Sequence, residues 1–114
     1  ICDLDYYRAA IDKISTYVTP SVFCIFSNDI AWCQTHLQPY LKAPVIYVTW
    51  NTGTESYRDM QLMSCCAHNI IANSSFSWWG AWLNQNSEKV VIAPKRWLNM
   101  DDCQFPLPAS WVKI

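Results

Sequence analysis

Four short apolar runs, at residues 22–26, 45–48, 69–72 and 89–93, constrain this chain more than any other feature, because segments of helical character lie between them. The runs are short, β-prone and free of polar alternation, the pattern of strands covered on both faces. Strands that recur after helices pair in parallel, since parallel neighbours need a crossover and a helix on a sheet face supplies it. The expected fold class is α/β, a Rossmann-like parallel sheet with helices on both faces.

The intervening segments carry their own signals. Leu4, Tyr7, Ile11, Ile14 and Val18 recur at steps of three and four, which predicts a helix over residues 3–18 that ends before Pro20. Ser27, Asn28 and Asp29 offer caps for a second helix carrying Ile30, Cys33 and Leu37. A polar loop over residues 50–54 includes Gly53, and Ser56 with Asp59 has the spacing of a capping box for a third helix that buries Met60, Met63 and Cys66 or Ala67. Residues 74–83 form the next helix, and residues 96–114 read as an irregular tail packed on a single domain of residues 1–114.

Composition excludes several functions. A net charge of −1 with dispersed lysines and arginines leaves no electrostatic footprint for a polyanion, so no nucleic-acid partner is expected. The six cysteines lie mostly in apolar periodic segments and read as reduced, buried thiols. They lack paired C-x-x-C spacing, His36 and His68 do not form a metal pair, and no metal is expected. No run approaches the length of a membrane span. The setting implied is cytoplasmic, with peripheral membrane association left open.

Ligands of open parallel sheets bind beyond the carboxyl ends of the strands. Three clusters fall there: residues 27–29, residues 50–59 and residues 73–76. The last joins a strand to a helix start, whose unpaired N–H groups suit an anion such as a diphosphate, with Ser74 and Ser75 adding hydroxyls. Ordinary capping also explains one of those serines. Asp59 reads either as a capping carboxylate or as an acceptor for base N–H groups, and Asp29 either as a cap or as a ligand for a sugar hydroxyl. Trp78, Trp79 and Trp82 cannot share one helical stripe, since neighbouring positions are about 100° apart. Trp79 and Trp82 are expected in the core, with at least one of the three facing outward. His68 precedes a strand, which sets it about 16 Å from Asn73 at the opposite edge.

The run NSSFSWWGAW at residues 73–82, with DYY at 5–7, FSND at 26–29, SYRDM at 56–60 and IAPK at 92–95, resembles the nucleotide-binding carboxyl-terminal part of the α-1,2-fucosyltransferases, glycosyltransferase family 11. The resemblance implies a GT-B enzyme that transfers fucose, with inversion, from GDP-fucose as donor substrate to a galactose-containing glycan acceptor, without a metal. By the same resemblance Asp59 contacts guanine, Ser74, Ser75 and the backbone of Phe76 hold the diphosphate, and Asn28 and Asp29 shape the donor pocket.

The family's upstream H-x-R-R-x-D motif, expected to supply a diphosphate-contacting arginine, is absent from these residues, and neither Arg58 nor Arg96 has its local context. The expectation is a donor-binding fragment, inactive alone, that lacks an amino-terminal acceptor domain. A noncatalytic nucleotide-sugar or glycan-binding module and a structural interaction domain with a tryptophan surface are the alternatives.

Overall fold

The computed structural model describes residues 3–95 and 108–114. Helix α1, Leu4–Ser15, starts where the Asp3 carboxylate accepts the Tyr6 N–H at 2.9 Å, and it buries Ala10, Ile11 and Ile14. It is shorter than its apolar periodicity suggests, because the Thr16 and Tyr17 N–H groups turn back to Lys13 and Ile14 as the chain approaches Pro20. Strand β1, Phe23–Phe26, leads into the short helix α2, Ile30–Trp32, which widens into a π turn, Cys33–Leu37, and then tightens into a 3₁₀ turn, Gln38–Tyr40. Strand β2, Val45–Val48, follows.

The second half repeats the alternation. A 3₁₀ turn, Gly53–Glu55, opens helix α3, Tyr57–Cys65; strand β3, Asn69–Ile70, leads to helix α4, Ser75–Trp82, and then to strand β4, Val91–Ala93. A further strand, β5, Val112–Lys113, lies in the segment expected to be irregular, and most of that segment falls outside the described residues. All pairings among the described residues are parallel. The strands form two small sheets, β1–β2 and β3–β4–β5, rather than one ladder. At the start of β3, the Asn69 side chain bonds sideways to the Met63 carbonyl and to Asn84, linking the strand to the ends of α3 and α4.

The β3–β4–β5 sheet is covered on both faces, and its side chains alternate accordingly. Ile71, Val91, Ala93 and Trp111 pack with Trp78 and Ala81 of α4. Ile92 packs with Ala10 and Ile14 of α1, joined by Ile70, Val90 and Val112. A sheet buried from both sides needs apolar residues at every position, which is why residues 90–93 show no alternation. The β1–β2 sheet departs from the sequence expectation. Cys24 and Ile46, paired in register, are both exposed, so that face is left largely open to solvent.

The tryptophans also depart from it. Trp78 is buried, whereas Trp79 and Trp82 are 40% and 50% exposed. The buried stripe of α4 runs through Ser77, Trp78, Gly80 and Ala81, and Trp82 lies one turn beyond Trp78, stacked on it at 5.1 Å. Cys33 is buried, but Cys24 and Cys65 are exposed and Cys66 is half-buried; all four are free thiols. Cys2 and Cys103 lie outside the described residues.

Candidate functional site

Helices α3 and α4 run side by side in the same direction, and three contacts establish it. At their carboxyl ends, Asn84 Nδ2 donates to the Cys66 carbonyl at 2.7 Å and Asn86 Nδ2 to that of Ala67 at 2.9 Å. In the middle, a Cβ on Gly80 would sit 3.0 Å from Met63 Cβ, so glycine is what permits this approach of the two helices. Asp59 lies one turn before Met63 and Phe76 one turn before Gly80. The amino-terminal turns of both helices, with Asp59, Ser74, Ser75 and Phe76, therefore share one edge, beyond the carboxyl ends of β2 and β3.

At that edge α4 begins with a closed hydroxyl network. Ser74 Oγ accepts the Ser77 N–H at 3.2 Å and lies 2.7 Å from Ser77 Oγ, which bonds in turn to the Ala72 carbonyl at 3.0 Å. With the Ser77 proton directed at Ala72, the Ser74 proton goes to Ser77, so the Ser74 hydroxyl is consumed in the cap. Ser77, which lies outside the candidate residues read from the sequence, thereby ties the strand end to the helix start; its three-residue spacing from Ser74 is the sequence signal for it. Ser75 is exposed, and neither its N–H nor that of Phe76 has an acceptor among the described residues. These two N–H groups and the Ser75 hydroxyl are the donors left for an anion. Phe76 is 37% exposed beside them.

Asp59 is not a capping-box carboxylate. Ser56 has helical dihedrals and its side chain makes no cap hydrogen bond, because the turn at Gly53–Glu55 runs directly into α3. That turn starts at φ +57 on Gly53, a left-handed conformation suited to a residue without Cβ. The Asp59 carboxylate instead accepts from Asn51 Nδ2 at 2.9 Å, and both residues are half-buried. Arg58 is paired with Glu55 at 2.5 Å and lies over the Tyr57 ring, and both charges of the pair are exposed. Arg96 lies outside the described residues.

The first cluster serves a different helix. Asp29 Oδ1 accepts the Trp32 N–H at 3.1 Å, and its own N–H donates to Ser27 Oγ at 2.9 Å, so Asp29 caps α2. Asn28 and Asp29 follow β1, are exposed, and have no bond to Asp59 or to the α4 start among the described residues. His68 lies at the opposite end of the fold from the α4 start, where its Nδ1 accepts the Val90 N–H at 2.9 Å. Lys89 closes that end by donating to the carbonyls of Ala81 and Asn84, and its partial burial lowers its pKa. A groove of about 310 Å³ between the end of α1 and the start of β1, lined in part by Asp12, Tyr40 and Lys42, borders none of the candidate residues.

Among the described residues, no three His, Cys, Asp or Glu side chains gather to hold a metal ion, and no helix is long and apolar enough to cross a membrane. The parallel strands, flanking helices and shared edge of helix starts define an α/β protein of Rossmann-like class. The chain belongs to glycosyl transferase family 11, whose family model matches residues 1–109. It is 37% identical over its whole length to an O-antigen biosynthesis glycosyltransferase, WbnK, of Escherichia coli, and 36% identical to an alpha-1,2-colitosyltransferase of the same species. It spans 37% and 40% of those two relatives. A rabbit (Oryctolagus cuniculus) galactoside alpha-(1,2)-fucosyltransferase 2 is 25% identical over 73% of the chain, which covers 23% of that protein. No solved structure matches the chain.

Proposed function

We propose that this chain is the donor-binding domain of an inverting glycosyltransferase that moves fucose from GDP-fucose to a galactose hydroxyl of a glycan, in α-1,2 linkage. The observation that carries the reading is the shared edge of α3 and α4, where the Asp59 carboxylate and the open Ser75 and Phe76 N–H groups face one side of the fold. Asp59 accepts guanine N–H groups, and the α4 start holds the diphosphate.

In the transfer, the acceptor hydroxyl attacks the anomeric carbon as the bond to the diphosphate breaks. Negative charge grows on the departing diphosphate, and the fixed N–H groups stabilise it without reorganising. The Ser75 hydroxyl adds a donor, while Ser74 and Ser77 keep the helix start rigid. Asn28 and Asp29 border the donor pocket from the loop after β1. The acceptor site and the diphosphate-contacting arginine belong to an amino-terminal part of the protein. The setting is reducing and cytoplasmic, where cysteines in apolar segments stay as thiols.

Calorimetric titration of the whole protein with GDP tests the reading. Asp59→Ala should weaken GDP at least tenfold, on the order of the cost of a lost charged hydrogen bond, and Ser75→Ala should weaken GDP more than guanosine. Neither change should shift the melting temperature appreciably. Absence of GDP binding by the unmodified protein would sink the donor site. Transfer assays with fucosyl and colitosyl donors then separate an enzyme from a binding module, because relatives carry both sugars in their names.

A further inference from the structure

Asn51 supports an inference that rests on the donor-binding reading and deepens it. Its Nδ2 donates to Asp59 Oδ1 at 2.9 Å across eight positions of sequence, joining the loop after β2 to the first turn of α3. The orientation of this amide is dictated, because its carbonyl oxygen would be repelled by the carboxylate. An aspartate in the first turn of a helix otherwise rotates among staggered positions or folds back onto the free N–H groups there. Asn51 removes that freedom. The second carboxylate oxygen has no hydrogen-bond partner among the described residues and is not buried.

We propose that Asn51 is a positioning residue for purine choice. By holding Asp59 Oδ1 it fixes the carboxylate plane, so that the free oxygen and the remaining lone pair of Oδ1 meet the N1–H and the 2-amino group of guanine together. Hypoxanthine keeps the N1–H but has no 2-amino group, and adenine offers a lone pair at N1. A carboxylate free to rotate accepts one N–H as readily but loses the paired arrangement. Asn51 therefore acts on the preference for GDP over IDP more than on nucleotide binding as such.

The test is calorimetry of the whole protein with GDP and IDP, on the unmodified form, Asn51→Ala and Asn51→Asp, with a melting curve for each. Asn51→Ala should weaken GDP about tenfold and IDP distinctly less, so that the ratio between them falls several-fold. Asn51→Asp sets a second carboxylate against Asp59; GDP binding should drop and then recover as the pH falls from about 7 to about 5, when the pair shares a proton. A merely structural asparagine leaves the ratio unchanged. An unchanged ratio in folded Asn51→Ala overturns the proposal. Should that variant not fold, an unchanged GDP-to-IDP ratio in the near-isosteric Asn51→Asp overturns it. Failure of the unmodified protein to bind GDP or IDP removes the donor site itself, and Asn51's role with it, whereas GDP binding with an unmoved ratio removes only the role of Asn51.

Discussion

The β3–β4–β5 sheet lies between α1 on one face and α4 with Trp111 on the other, while the β1–β2 sheet leaves Cys24 and Ile46 in solvent. Both sheets come from short apolar runs that look alike. The difference teaches that such a run specifies a strand able to be buried twice, and that the helices available around it decide whether it is. It also divides the candidate site. Ser74, Ser75 and Phe76 start a helix seated on the covered sheet, whereas Asn28 and Asp29 follow a strand of the open one.

The largest expected effect separates the two sheets directly. Ile92 is fully buried against α1, and Ile92→Ala should cost about 2–5 kcal/mol in urea unfolding. Ile46 is 46% exposed, and Ile46→Ala should cost less than about 1 kcal/mol. Equal losses at the two positions would erase the distinction.

A smaller effect is expected where α3 and α4 meet. Gly80→Ala gains helix propensity of about 1 kcal/mol but drives its Cβ against Met63 Cβ, which is anchored to its own backbone and has little room to give. The net result should be a loss of about 1 kcal/mol, read from the denaturation midpoint, together with weaker GDP binding as the two helix starts separate. A stabilised Gly80→Ala variant would show the covered half to be looser than the contacts imply.

The effect smallest at neutral pH lies where the halves adjoin. Burial, and then the nearby Cys24 and Cys65 thiols, push the Cys66 thiol up from 9.0 to about 11. The folded state thus holds that proton more tightly than the unfolded chain. The resulting stabilisation is complete below pH 9 and is lost as the pH rises from 9 through 11. Cys66→Ser should flatten this part of the stability profile, measured as the difference from the unmodified protein. At pH 8, alkylation should reach exposed Cys24 and Cys65 before Cys66; the reverse order would contradict this arrangement.

Much of the architecture was legible locally. Ile11 and Ile14 mark the buried stripe of α1 by their spacing, and residues 90–93 announce a doubly covered strand by having no polar member. The edge holding Asp59 and the α4 start follows from strand–helix alternation, and the Asn73–Trp82 run carries the family resemblance. The partner of Asp59 was not legible, because Ser56 stands at the capping-box distance while Asn51 reaches the carboxylate only through the fold of the loop at Gly53. Nor was the burial order of Trp78, Trp79 and Trp82, since three large apolar residues on a short helix leave the choice of inward face to the strands beneath it.

By itself, then, the sequence determined the alternation of strands and helices, the parallel pairing that alternation forces, and the edge where helix starts gather, all of which depend on periodicity and chain connectivity. Tertiary structure alone decided which sheet is covered twice, which serine keeps a free hydroxyl, and what holds Asp59. Those outcomes depend on which groups from distant segments come within a few ångströms of one another, and no local pattern encodes that distance.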